Sequence, residues 1–461
     1  MASSTTAKGG LFVTEDGQRL GVTFGLVCTL FFLWAMCNGM IDVMDKHFQD
    51  ELGLTKSQSA WVQFAHYLGY FLMSMPAGIL ALKLGYKGGI IAGLVLVALG
   101  GFWFIPASNI NAMVKQGAVS PTTAFIGFLF GVCLIAAGLT FLETIANPYT
   151  TVLGAPRFAA TRINLAQSCN GLGWIFGPPL GGIFFYGKDA AGRSTGSETL
   201  YIPYVGLAIG SLLIAVVFYF ANVPDIKMKD EYHDDAGAGT SRSLWSHRHF
   251  AMAVAAQFLY VAAQAGIFSF FINYMVEETP ALPGEWASGS RAAWFELRNG
   301  VLAFSEKGAA NIASVAFGCF LLGRISGSWL LKKYSAHKVL GLYGVANVVA
   351  CLLVFLKLGW FSVFCVFLSY FFMSIMFPTI FALGIYGLGV RAKKASAYIV
   401  MAIMGGAILP KAMGAIADAS NMSRGFIVPM FCFMFVAFYG FRWPKFSGVE
   451  SLHGAELKGG H

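Results

Sequence analysis

Charge is what this 461-residue chain has least of: Asp, Glu, Lys and Arg make up 11% of it, about half the fraction usual in a soluble domain. Hydrophobic side chains make up 57% and the mean hydropathy is +0.67, which excludes an ordinary water-soluble enzyme and leaves little chain for a soluble domain beside a membrane part. Metal and disulfide cysteine patterns are missing too. Cys28, Cys37, Cys133, Cys169, Cys319, Cys351, Cys365 and Cys432 lie in apolar runs with no CxxC or CxxxC spacing, so they read as small packing hydrophobes. The eight histidines form no HExxH, and no GxxxxGK[ST] loop offers a cradle for ATP phosphates. Neither an enzyme nor an ATP-driven pump is expected, and no metal or cofactor. Residues 1–18 lack the apolar core of a signal peptide.

What the chain does have is long apolar runs, at roughly 20–44, 58–82, 88–106, 122–149, 161–186, 200–222, 249–277, 307–332, 337–357, 359–388, 396–419 and 424–442. Each is long enough to span a bilayer, and none alternates as a barrel strand would. Backbone groups in hydrocarbon must be satisfied within the chain, so the runs are expected to be helices and the fold all-α, with twelve transmembrane helices. The formal net charge of +9 does not call for nucleic acid as a partner, because most of the bases flank these runs. Nineteen Lys and Arg fall in loops and tails on the side of the termini against ten on the other, which predicts that both termini are cytoplasmic.

The polar stretch over 223–248 falls at the midpoint and reads as a cytoplasmic linker. It divides the chain into an N-terminal six-helix half, 1–222, and a C-terminal half, 249–461. The halves echo each other. PAGILALKLGYK (76–87) and SGSWLLKKYSAHK (326–338) place Gly78 and Gly327, then Lys83 and Lys332, at a common offset of 249, and NPYTTVLG (147–154) parallels FPTIFALG (377–384). Parallel repeats of this kind are built into major facilitator transporters. Glycine is frequent, 55 residues in all, with Gly171, Gly173, Gly177, Gly181 and Gly182 clustered in the fifth run, where helices are expected to approach closely.

Acids within a span are costly and mark function. Asp42 and Glu143 sit well inside the first and fourth runs, whereas Asp45, Glu277 and Glu278 read as interfacial. Burial penalises the charged form of a carboxyl, so Asp42 and Glu143 are the candidate proton-coupling pair. Around them stand Asn38, Gln63 and His66, Gln167 and Asn170, and Gln257, Tyr260 and Gln264, the last three sharing a helix face. Amides that donate and accept suit a polyhydroxylated sugar, whose hydroxyls do both, while Trp34, Tyr67, Phe268, Phe271 and Tyr274 offer rings for its C–H face. The candidate substrate site is therefore Asn38, Gln63, Glu143, Gln167, Asn170, Gln257, Tyr260 and Gln264. Each amide also has a plainer reading, as an interhelical hydrogen bond.

The stretches FFLWAMCNGMID (31–42), LETIANPYTTVLG (142–154), RINLAQSCNGLG (162–173) and AQFLYVAAQAGIFSFFINYMVEE (256–278) closely resemble the fucose:proton symporters. That branch of the major facilitator superfamily also holds bacterial glucose/galactose transporters. The resemblance covers nearly all twelve spans and implies uptake of a hexose or 6-deoxyhexose across the cell inner membrane by alternating access, driven by a proton gradient. It places the family's two coupling carboxylates on Asp42 and Glu143, and a monomer is expected. Sodium coupling or facilitated diffusion is the nearest alternative, and a non-transporting sugar receptor a more distant one. Gly39 and Ile41 stand where the fucose-type NNLND pattern has asparagines, which predicts a wider, less polar pocket near Asp42, suited to glucose, galactose or mannose. Lys411 is expected to snorkel to an interface, and 279–310 to fold as a small helix over the entrance.

Overall fold

The structure is a computed structural model that describes residues 10–14, 17–154, 159–187, 199–221, 223–224, 243–287, 289–298, 300–386, 388 and 392–448. The chain is read in order as α1 (Gly21–Leu52), α2 (Lys56–Ser59), α3 (Trp61–Lys115), α4 (Pro121–Val152), α5 (Ala159–Phe185) and α6 (Tyr201–Phe220). The second half runs α7 (Arg248–Ser269), α8 (Phe271–Glu277), α9 (Glu306–Lys333), α10 (Ala336–Phe355), α11 (Trp360–Met373), α12 (Met376–Ile385), α13 (Ala392–Met401), α14 (Gly405–Ala419), α15 (Met422–Gly425) and α16 (Ile427–Ser447). Among the described residues, ten helical stretches are long and apolar enough to cross a membrane. The run from Trp61 to a break at Gly85 and the helix Ala159–Phe185 complete the twelve. Most of the linker expected over 223–248 lies outside the described residues.

Local chemistry places the ends. Gly53 closes α1 and Gly448 closes α16 in the left-handed conformation (φ 63° and 75°), which glycine adopts without steric penalty. Thr55 and Gln58 form a reciprocal capping box on α2, and Ser120 and Ser305 cap α4 and α9. Gly85 (φ 69°, ψ 179°) turns the second span directly into the third. Tyr334, at the 249-residue offset from Gly85, is likewise extended beyond the end of α9. The third span differs from the expected 88–106 in running on through Pro106 to Lys115.

Small residues bring the helices together. A Cβ on Gly173 would stand 2.3 Å from the Phe32 carbonyl oxygen, and one on Gly177 2.8 Å from that of Met36, so α5 lies backbone to backbone against α1. At the end of the bundle near the N-terminus, the fully buried Arg162 donates to three carbonyls: Thr150 (2.9 Å), Leu11 (3.0 Å) and Gly154 (3.3 Å). Its sequence position suggests a solvated loop base, but it is a tie between α4, α5 and the N-terminal segment, and its planar fork suits carbonyls in several directions.

At the far end the two halves meet. The Asp418 carboxylate accepts the backbone N–H groups of Lys56 (2.9 Å) and Ser57 (2.8 Å) at the start of α2, and Lys56 Nζ lies 3.2 Å from Glu277. Gln49 and Asn273 bond amide to amide (2.6 Å), while Lys357 pairs with Glu278 (2.9 Å) within the C-terminal half. Lys411 is exposed, with its ammonium 3.9 Å from the centre of the Trp61 ring. In place of the expected entrance helix, 279–310 forms two short 3-10 turns, Gly284–Ala287 and Gly289–Trp294, and an antiparallel hairpin of Phe295–Arg298 with Val301–Phe304. The reason is local: Gly300 supplies the turn at φ 80°, Phe295 pairs with Phe304 across the strands, and Arg298 bridges Glu296 and Glu306.

Candidate functional site

Asp42 lies about two-thirds of the way along α1, buried to 9% exposure, where Gln63 of α3 donates to its Oδ1 (3.0 Å). The other carboxyl oxygen has no protein partner. Tyr67, one turn beyond Gln63, is within electrostatic reach of Asp42, Asp45, Glu143 and Tyr260, and Tyr370 is within reach of Asp42. Side chains of α1, α3, α4, α7 and α11 therefore converge on one region that spans both halves. Glu143 is half-buried and pairs with no cation among the described residues. Its own helix continues to Asn147, whose amide donates to the Glu143 carbonyl (3.0 Å) and accepts from Gln167 (3.1 Å).

The other sequence-predicted residues divide by what they touch. Asn38, one turn before Asp42, is buried with its Oδ1 unpartnered, and Gln257 is fully enclosed with neither side-chain amide atom bonded to protein. Buried amides left without partners cost about 1–3 kcal/mol each, so these two are the strongest candidates for ligand contact. Gln264 is half-buried on the same face of α7. Tyr260 already donates its hydroxyl to the Met373 carbonyl (2.9 Å). Asn170 donates to the Phe31 carbonyl (3.3 Å) across the α1–α5 contact. Gln167 does more than face a cavity, because its Oε1 accepts from Arg324 of α9 (3.2 Å) and so links the halves.

The rings sort likewise. Trp34 donates its indole N–H to Tyr70 (2.7 Å), and His66 meets Tyr67 edge-on and Tyr70 at a tilt. Phe271 and Tyr274, proposed above as stacking rings, instead pack within the C-terminal half against Phe367 and Phe426. Phe268 lies parallel to Tyr370, with centroids 4.6 Å apart. The pocket-widening role predicted for Gly39 and Ile41 is corrected as well. A Cβ on Gly39 would meet Pro178 at 3.0 Å and Gly177 at 3.3 Å, so Gly39 faces α5, and Ile41 is a core residue at 1% exposure.

Two charged residues escaped the sequence reading of the site. Asp45 is fully buried, not interfacial, and shares Gln63 with Asp42, its Oδ2 lying 3.4 Å from the amide nitrogen. Arg324, within the 307–332 run, sits between Gln167 and the Ser374 carbonyl (3.4 Å), with its guanidinium carbon 5.1 Å from the Phe320 ring centre. A lone cation in the middle of an apolar run was the signal that could have found it.

The fold and this polar region, enclosed between two helical halves, define a multi-pass membrane transporter. Residues 23–383 match the Major Facilitator Superfamily, and the chain belongs to it. It is 35% identical over 433 residues to the L-fucose-proton symporter of Escherichia coli (strain K12), a match covering 89% of this chain and 91% of that one. It is 30% identical over 442 residues to a glucose/galactose transporter of Brucella abortus, covering 95% and 98%. Among solved structures, the outward conformation of the transporter FucP is 34% identical with a TM-score of 0.63, covering 92% of this chain and 99% of that one. A D-xylose-proton symporter shares the fold at 11% identity and a TM-score of 0.67, over 93% and 98%.

Proposed function

We propose that this chain takes up a monosaccharide, a hexose or 6-deoxyhexose, together with protons, by alternating exposure of a site between its two halves. The observation that carries this is the juxtaposition around Asp42. A carboxyl enclosed in the bundle, paired with no cation among the described residues, accepts from the buried Gln63 amide (3.0 Å) and stands one turn from Asn38, whose Oδ1 has no protein partner, while Gln257 of α7 is enclosed with both amide atoms unbonded to protein. The carboxyl is suited to carry the proton, and the amides to bind hydroxyls. Relatives named as L-fucose-proton symporter and glucose/galactose transporter support the substrate class. In this reading Asp42 and Glu143 are the coupling carboxyls, and no cofactor is required beyond the gradient.

The setting follows from the same reading: an inner-membrane monomer with both termini in the cytoplasm, so that the end joined by Asp418 and Lys56 faces outward. The lost NNLND asparagines no longer argue for a gluco- or galacto-configured sugar, because Gly39 faces α5. The test is uptake by proteoliposomes of labelled fucose, glucose, galactose and mannose, with and without a pH gradient. One of these sugars should accumulate only with the gradient acid outside. Accumulation driven by sodium alone would favour the sodium-coupled alternative, and transport of none would remove the sugar reading.

A further inference from the structure

Asn38, Asp42, Asp45 and Gln49 follow one another along α1 at spacings of four, three and four residues, which places them on a single stripe of the helix. The stripe runs from mid-bundle to the far end. There Gln49 bonds Ser59 (2.8 Å) and Asn273 (2.6 Å), and Asn273 in turn donates to Glu277 (3.3 Å), the partner of Lys56. Within it, one neutral amide serves two acids: the Gln63 nitrogen lies 3.0 Å from Asp42 Oδ1 and 3.4 Å from Asp45 Oδ2. The remaining oxygen of each carboxyl is buried without a protein partner.

Among the described residues, none supplies a counter-ion. Tyr67 of α3, Tyr186 beyond α5 and Tyr204 of α6 are the titratable groups that face Asp45 from other elements, with Ser269 of α7. The Tyr186 hydroxyl is already given to the Val43 carbonyl (2.8 Å), that of Tyr204 to Met44 Sδ (4.0 Å), and that of Ser269 to the Ala265 carbonyl (2.8 Å). On α1 itself, Lys46 pairs with Asp50 (2.5 Å), and His47 packs among Phe48, Phe185 and Tyr186. Two ionised carboxylates sharing one amide, enclosed and without a cation, would be prohibitively costly. A proton on either acid removes a charge and turns an orphaned oxygen into a donor.

We propose that Asp42 and Asp45, joined by Gln63, form one proton-binding unit, with Asp45 its outer member on the side of the Gln49–Asn273 contact. This deepens the proton-coupled reading and rests on it. A proton arriving from outside forms an O–H bond on the pair and leaves from the pair on the other side. The O–H bond of the delivering hydronium ion breaks as the carboxyl O–H forms, and on release the carboxyl O–H breaks as one to water forms. Because the two acids titrate together, the apparent midpoints belong to the pair and not to either residue.

The test uses the full chain. A pH titration followed by infrared absorption of protonated carboxyls should show the Asp42 and Asp45 signals rising and falling over the same pH range, each assigned by its loss in Asp42→Asn or Asp45→Asn. In proteoliposomes, Asp45→Asn should shift the pH midpoint of gradient-driven uptake by about one unit or more, while a cooperative thermal unfolding transition in detergent verifies that the variant is folded. A parental pH profile in Asp45→Asn overturns the proposal. So does a parental infrared titration that fits a single enclosed carboxyl, a result that stands even if the variant does not fold. Failure of the underlying reading looks different: uphill uptake surviving in Asp42→Asn would remove proton coupling through Asp42 whatever Asp45 does.

Discussion

Gln257 shows how a single side chain can be poorly placed for stability and well placed for binding. Enclosed with neither amide atom bonded to protein, it lowers the stability of the sugar-free protein unless its groups are used in another state. Gln257→Leu is therefore expected to raise the melting temperature slightly, or leave it unchanged, in the absence of sugar. The same change should weaken sugar binding by about 1–3 kcal/mol, roughly 5- to 150-fold. Calorimetry giving parental affinity with lower stability would make Gln257 a packing residue. Arg324 is the opposite case, a cation whose contacts are largely met within the protein. Its bond to Gln167 crosses the halves, whereas Gln167 keeps its own bond to Asn147 without it, so Arg324→Met should raise the rate at which the transporter changes sides, read as faster sugar exchange. An exchange rate equal to the parent's would show that the bond does not contribute to the conformational step.

Whole elements were read from sequence more securely than the residues between them. The runs and their caps translate directly into helices because a backbone in hydrocarbon has no other way to satisfy its polar groups. The hairpin at 295–304 was missed because it lies outside the hydrocarbon, where that constraint lapses and a short aromatic pair with one glycine turn decides. Asp42 and Glu143 were legible as acids deep in apolar runs. Asp45 was not, since its distance from the end of α1 depends on a helix that continues to Leu52, beyond the expected end at residue 44. Glycine placement was legible in kind but not in direction: Gly39 belongs to the α1–α5 crossing and not to a pocket. Gly177 lies at the same crossing, where an added Cβ would stand 2.9 Å from the Gly39 Cα. Gly177→Ala should cost about 1–3 kcal/mol through overpacking, seen as a lower unfolding temperature in detergent, whereas an unchanged temperature would mean that α1 and α5 separate freely.

For the molecule as a whole, the two halves are held at the far end by a small set of polar contacts, and alternating access requires those contacts to break. Asp418 carries two of them, both charge-assisted bonds to backbone N–H groups of α2. Asp418→Ala should shift the population toward separation at that end, measured as longer distances between spin labels on the α1–α2 and α14–α15 loops. An unchanged distance distribution would place the energetic hold elsewhere. The central claim, that a proton bound at Asp42 drives sugar uphill, is tested most directly by labelled-sugar accumulation in proteoliposomes under an inward proton gradient, comparing the parent with Asp42→Asn. The account predicts accumulation above the external concentration in the parent and only equilibration in the variant, because an amide cannot take up and release the proton. Accumulation to the same level in both would contradict it.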